Sequence, residues 1–88
     1  MYEIKYSHTA LKDISKIKEA NLEQKTKELI NIIRENPYQN PPRYEKLSGE
    51  FLGLYSRRIN IQHRLIYQVF ENEKIIKILS IWTHYERI

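Results

Sequence analysis

The amino-acid sequence predicts an α+β fold: an N-terminal strand and a helical hairpin packed on a small, mostly antiparallel twisted sheet, in the order β-α-α-β-β-β(-β). Two observations predict it. Apolar residues alternate at the N-terminus and then recur at helical spacing through residues 8–35. After a proline cluster between residues 37 and 42, the chain turns to runs rich in Tyr, Ile, Val and Leu. With 88 residues there is room for one core only, so residues 1–88 are expected to form a single domain.

Each element has its own signal. Tyr2, Ile4 and Tyr6 alternate with Glu3 and Lys5, the pattern of a short strand with one buried face. Ser7 is a suitable N-cap, and Ala10, Leu11, Ile14 and Ile17 follow at helical spacing with charged residues between them. Asn21 with Gln24 three residues later reads as a capping box opening a second helix, whose stripe is Leu22, Leu29, Ile30 and Ile33. Asn36 precedes Pro37 and should end that helix, because a residue before proline avoids the α region. Few residues separate the helices, so an antiparallel hairpin is expected. Residues 36–43 read as an extended loop. Residues 51–61, 64–71 and 75–84 read as three strands of an antiparallel meander, with the helices covering one face and leaving the other open.

Composition narrows the function. The chain lacks cysteine, which removes disulfides, thiolate metal sites and thiol catalysis. The three histidines show no ligand spacing, so neither a metal nor another cofactor is expected. The N-terminus carries charges where a signal sequence would be apolar, and no run is long enough to span a membrane, so a soluble, cytoplasmic protein is expected. The net charge is +4, and five of the six arginines, Arg43, Arg57, Arg58, Arg64 and Arg87, fall after residue 42. Arginine offers a planar fork suited to phosphate.

The turn between the first and second of these strands decides which side chains share the open face. A three-residue loop, residues 61–63, puts Asn60 opposite Arg64 and Arg58 opposite Ile66. Tyr55, Ile59, Leu65, Tyr67 and Val69 then lie beneath the helices, while Ser56, Arg58, Asn60, Arg64 and Gln68 share the open face with Ile66. Arg57 falls on the apolar side, where its stem would cover the core edge and its head reach water. Paired arginines with no carboxylate between them suit an external anion, although a solvated basic face is equally open.

Glu45 and His84 could reach the same face. A carboxylate, a histidine and paired arginines are a minimal set for cleaving RNA through its own 2′-hydroxyl: a base takes the 2′-OH proton, an acid protonates the departing 5′-oxygen, and cations stabilise the phosphate oxyanions. Read from the residues alone, Glu45 is equally a surface carboxylate and His84 a strand-end residue. Tyr85 could stack on a base or pack on the sheet edge.

The run Tyr55-Ser56-Arg57-Arg58-Ile59-Asn60, followed by His63-Arg64-Leu65-Ile66-Tyr67, resembles the S-R-R-I-x-x-x-H-R-L-[VI]-Y block of the Txe/YoeB toxins, within the RelE/ParE superfamily. Glu45-Lys46-Leu47 upstream and His84-Tyr85 downstream are similar to further motifs of that family. The resemblance implies a RelE-like fold and the toxin of a type II toxin–antitoxin pair, acting as a metal-independent, ribosome-dependent endoribonuclease on mRNA in the 30S A site, beside 16S rRNA. It implies Glu45 as general base, His84 as general acid and Arg64 as the cation on the scissile phosphate. Arg58 would contact phosphate and Tyr85 orient substrate, with Lys46 and Arg57 as further substrate-binding candidates. It also implies a YefM/Phd-type antitoxin with a disordered acidic tail, operator DNA reached only through the antitoxin complex, and no membrane partner; a homodimer is left open. Two departures stand out: Ser48 occupies the place of a family lysine, and Glu86-Arg87-Ile88 extend beyond the His-Tyr pair. Two alternatives stay in play, a ParE-like toxin that binds gyrase and a non-cleaving RNA-binding module.

Overall fold

A computed structural model describes residues 1–82. Strand β1 (Glu3–Tyr6) leads into helix α1 (His8–Glu19) through Ser7, whose Oγ accepts the Ala10 N–H at 3.1 Å. That bond satisfies one of the donors left unpaired at a helix start. The same Oγ donates to the Leu79 carbonyl at 2.9 Å, fixing the helix start against the last strand. Along α1, Ala10 and Ile17 are buried, whereas Leu11, expected on the stripe, points to solvent.

The hairpin between the helices forms differently from the capping box expected at Asn21. Asn21 has φ +59, its N–H bonds the Lys18 carbonyl at 3.1 Å, and the Leu22 N–H bonds the Ile17 carbonyl at 3.0 Å. This is a Schellman closure of α1, with asparagine tolerating the left-handed region. Helix α2 (Glu23–Glu35) therefore starts without a side-chain cap, and Gln24 donates along the helix to Glu28 instead. Its end is as the sequence predicts: Asn36 is extended, immediately before Pro37.

Beyond the proline loop come β2 (Glu45–Lys46), a 3₁₀ turn (Gly49–Phe51), β3 (Leu54–Arg58), β4 (Arg64–Phe70) and β5 (Ile75–Ser80). The turn takes the first residues expected of a long strand, and β3 starts only after Gly53, whose φ of +96° favours glycine. The five strands form one sheet in the order β1-β5-β4-β3-β2. β1 runs parallel to β5, and every other neighbouring pair is antiparallel. An α+β fold with a mostly antiparallel sheet is thus what the chain adopts.

The β3–β4 register differs by two residues from the expected one. Arg58 faces Arg64, Arg57 faces Leu65 and Ser56 faces Ile66. Asn60 causes the difference. Its Oδ1 accepts the backbone N–H groups of Gln62 and His63 at 2.9 and 2.7 Å, drawing Asn60 out of the ladder into a longer turn. Side chains alternate with period two, so a shift of two leaves every residue on its expected face.

Under the helices, Ala10, Ile17, Leu29, Ile30 and Ile33 meet Ile59, Leu65, Tyr67, Ile76, Ile78 and Ile81, with Tyr55 and Val69 packed against them. Each fully buried aliphatic side chain here contributes about 1.5–3 kcal/mol. The buried Asp13 carboxylate accepts the Ile81 N–H at 3.0 Å, and His63 stacks on Trp82 at 4.0 Å, so the chain is held at residues 81 and 82. No helix among the described residues is long and apolar enough to cross a membrane.

Candidate active site

Strand pairing assembles the site. Glu45 on β2 faces Ser56 on β3, Ser56 faces Ile66 on β4, and two residues along Arg58 faces Arg64. Partners across a ladder share a face and residues two apart share it again. Glu45, Ser56, Arg58 and Arg64 therefore converge on the side away from the helices. With Arg43 and Tyr44 they line a hollow of about 300 Å³.

Inside it, Glu45 Oε1 lies 3.4 Å from Arg64 Nη1. The Arg64 side chain is 19% exposed and that of Glu45 54%, so the carboxylate sits at the mouth and the guanidinium deeper. An ion pair this open to water contributes little stability, which leaves both groups ready to exchange partners. Among the described residues, Arg58 and Arg43 make neither an ion pair nor a hydrogen bond, and the Ser56 Oγ is buried with no hydrogen-bond partner. An unpaired buried hydroxyl is unfavourable in isolation, and the two exposed guanidiniums beside it are free to take an anionic partner. An anion entering the hollow would accept from the hydroxyl and pair with the guanidiniums.

Arg57 does not belong to this site. It lies on the helix side of the sheet, as its parity predicts, but its head never reaches water: the residue is 0% exposed. The guanidinium donates to the carbonyls of Pro42 (2.6 Å), Gln39 (2.9 Å) and Pro37 (3.1 Å) and to the Tyr67 hydroxyl (3.2 Å). It also lies 4.9 Å from the centre of the Tyr44 ring. Tyr67 donates onward to the Pro37 carbonyl at 2.7 Å. A guanidinium that is fully buried and gives four of its five N–H bonds to the fold is closed to substrate, which corrects the expectation for Arg57. The proline loop supplied these acceptors because its residues bond to no helix or sheet and needed donors of their own.

The far end of that loop is held by a second cluster. The Tyr38 hydroxyl donates to Glu71 Oε2, and the Tyr2 hydroxyl donates to Glu71 Oε1 at 2.9 Å. Those bonds, Tyr38 first, hold the Glu71 carboxyl below its ordinary range, while burial and then the bond to Glu71 push the Tyr38 hydroxyl upward. Burial likewise pushes Tyr67 up to about 12, against the opposing pull of Arg57.

Of the other sequence candidates, Lys46 faces Tyr55, so alternation turns it away from the hollow. His84 and Tyr85 lie outside the described residues. Arg43, Tyr44 and Ser56, which are not among the sequence candidates, also line the hollow. Ser56 was on the correct face, and Arg43 precedes Glu45 by two residues; that spacing was the available signal.

The small two-helix, five-strand fold is shared with bacterial toxins. At TM-score 0.85, a YoeB/ParE toxin from Agrobacterium tumefaciens superposes on 94% of the chain, at 24% identity. A toxin YoeB from Synechocystis sp. is 36% identical over 59 residues, which are 67% of this chain and 66% of that relative, and one from Escherichia coli K12 is 36% identical over 53 residues, 60% of this chain and 63% of that relative. These alignments span just under two thirds of the relatives' own length. The YoeB–YefM toxin–antitoxin complex from Staphylococcus aureus, described as heterotetrameric, includes a chain 35% identical to this one; the match covers 97% of this chain and 99% of that chain at TM-score 0.79. Residues 6–85 match the family described as the YoeB-like toxin of bacterial type II toxin–antitoxin systems. The chain belongs to that family.

Proposed function

We propose that this toxin is a ribosome-dependent endoribonuclease that cuts mRNA in the 30S A site and so stops translation. The observation behind the reading is the Glu45–Arg64 pair beside the uncommitted Arg58 in one polar hollow. When a phosphodiester enters, Arg64 exchanges the carboxylate for a phosphate oxygen and Glu45 is released to act as base. Glu45 takes the 2′-OH proton, the 2′-oxygen bonds to phosphorus, and the bond from phosphorus to the 5′-oxygen breaks. His84 donates a proton to that leaving oxygen. The products are a 2′,3′-cyclic phosphate and a free 5′-hydroxyl. Negative charge grows on the phosphate oxygens during this step, so Arg64 and Arg58 stabilise the transition state more than the ground state.

Tyr85 orients the nucleotide in this reading. So small a face makes few base contacts, and the ribosome, through 16S rRNA, supplies the positioning that the toxin lacks. The restraining partner is a YefM-type antitoxin, by likeness to the S. aureus complex; a dimer is supported by likeness to the S. aureus YoeB dimer, 34% identical at TM-score 0.80.

Primer extension on mRNA, with and without ribosomes, tests reaction and dependence together. Cleavage should require ribosomes and fall about 10²–10⁴-fold in Glu45→Gln and in His84→Ala, the range of a general acid or base, with ribosome binding retained. Undiminished cleavage in both variants would refute the assignment. Binding without any cleavage by the wild type would instead favour a non-cleaving RNA-binding toxin.

A further inference from the structure

Resting on the nuclease reading, we infer that the hollow holds two successive phosphates of the RNA, and that Arg43 is the ligand of the one next to the scissile phosphate. The hollow is larger in charge than one phosphodiester needs. Arg64 is partly balanced by Glu45, yet Arg58 and Arg43 face the same space with no counter-charge among the described residues. A single phosphodiester bears one negative charge and cannot balance both. At its floor the Ser56 hydroxyl, 1% exposed, has no hydrogen-bond partner. A polar group shielded from water and left unpaired in a cationic hollow points independently to an anionic guest.

The placement of Arg43 also suits a neighbouring phosphate. It precedes the Glu45 base by two residues, a span of at most about 7 Å along the chain, comparable to one step along an extended single strand. Its backbone is not free to wander. The carbonyl of the preceding residue, Pro42, accepts from the buried Arg57 at 2.6 Å, and the ring of the following residue, Tyr44, packs edge-on against Tyr55 and lies under the Arg57 guanidinium. The residue is thus an exposed cation on a fixed mount, so less ordering entropy opposes its contact with phosphate. Arg58 and Arg64, directly opposed on β3 and β4, address the scissile group, and Arg43 approaches from the β2 rim.

The test uses programmed ribosomes carrying a short mRNA in which one A-site phosphate at a time is replaced by a neutral methylphosphonate. Wild-type toxin and Arg43→Ala are compared for cleavage, and for binding on the same mRNA with 2′-deoxyribose at the cut nucleotide. Arg43→Ala should weaken binding several-fold, with kcat within about twofold, and make the salt dependence of affinity shallower by about 0.7, the share of one contact on a single strand. At one position adjacent to the cut, the methylphosphonate should weaken wild type by the same factor and leave Arg43→Ala unaffected. Factors that simply multiply at every position would overturn the subsite. Wild type that binds with this coupling but leaves the ribonucleotide mRNA intact would overturn the nuclease reading and retain the subsite, so the two failures are distinct. Arg43 is exposed on a loop, and folding of the variant is not at risk.

Discussion

Arg57 and Arg58 are neighbours in the chain and opposites in the fold. One points under the helices and gives four hydrogen bonds to backbone carbonyls and a tyrosine; the other points to the open face and gives none among the described residues. Identical chemistry becomes a structural clamp on one side of the sheet and, on the other, an exposed cation with no partner among the described residues. The difference is one of supply. The proline loop brings unpaired carbonyls to the helix side, whereas the open face brings two further arginines and a single carboxylate to the hollow. A charged side chain is therefore read best from what its face of the sheet provides, and only secondly from its type.

The sharpest way to break this contrast is to remove the two heads in turn. Arg57→Met should cost about 3–5 kcal/mol, because it strands buried carbonyls and a hydroxyl. Arg58→Met should stay within about 0.5 kcal/mol of wild type while cleavage falls by about 10²-fold. Urea denaturation and the primer-extension assay read the two quantities. Equal stability losses would erase the distinction.

Tyr67→Phe tests the clamp more gently. It removes the acceptor of Arg57 and the donor to Pro37, for about 1–2 kcal/mol. The hydroxyl is raised from its ordinary value of 10.0 to about 12 in the fold. Its contribution is therefore complete below pH 10 and lost as pH rises toward 12, since the unfolded chain ionises first. Stability measured from pH 8 to 12 should fall less steeply in Tyr67→Phe, and an unchanged slope would count against the buried clamp.

The smallest effect belongs to the exposed cluster at the other end of the loop. Glu71 is lowered by its bonds from Tyr38 and Tyr2, so its contribution is present above the unfolded value of 4.5 and lost as pH falls through the lower folded value. Glu71→Gln should flatten the acid limb of the stability profile and leave the neutral-pH cleavage rate unchanged. A steeper acid limb would contradict the assigned bonds.

Several departures of the fold from the sequence pattern share one physical cause, a polar group finding a partner distant in sequence or in a tight turn. Asn21 fits a capping box by spacing, yet the backbone closed α1 through it, because an asparagine that tolerates positive φ serves a tight helical corner better. Asn60 lengthened a turn by capping two amides, moving the register while sparing the faces. Arg57 looked half-solvated because the carbonyls that satisfy it lie 15–20 residues away.

The sequence by itself determined the element order and the sidedness of the sheet, since alternation and helical spacing are local periodicities that survive any packing consistent with them. It also nominated Glu45, Arg58 and Arg64, which the fold gathers in one hollow. Only the tertiary structure decided that β1 would lie parallel to β5, that Arg57 would be consumed by the proline loop, and that Arg43 and Ser56 would join the hollow. Those outcomes depend on which unpaired donors and acceptors meet across the fold, and pairing between distant segments leaves no period in the chain to read.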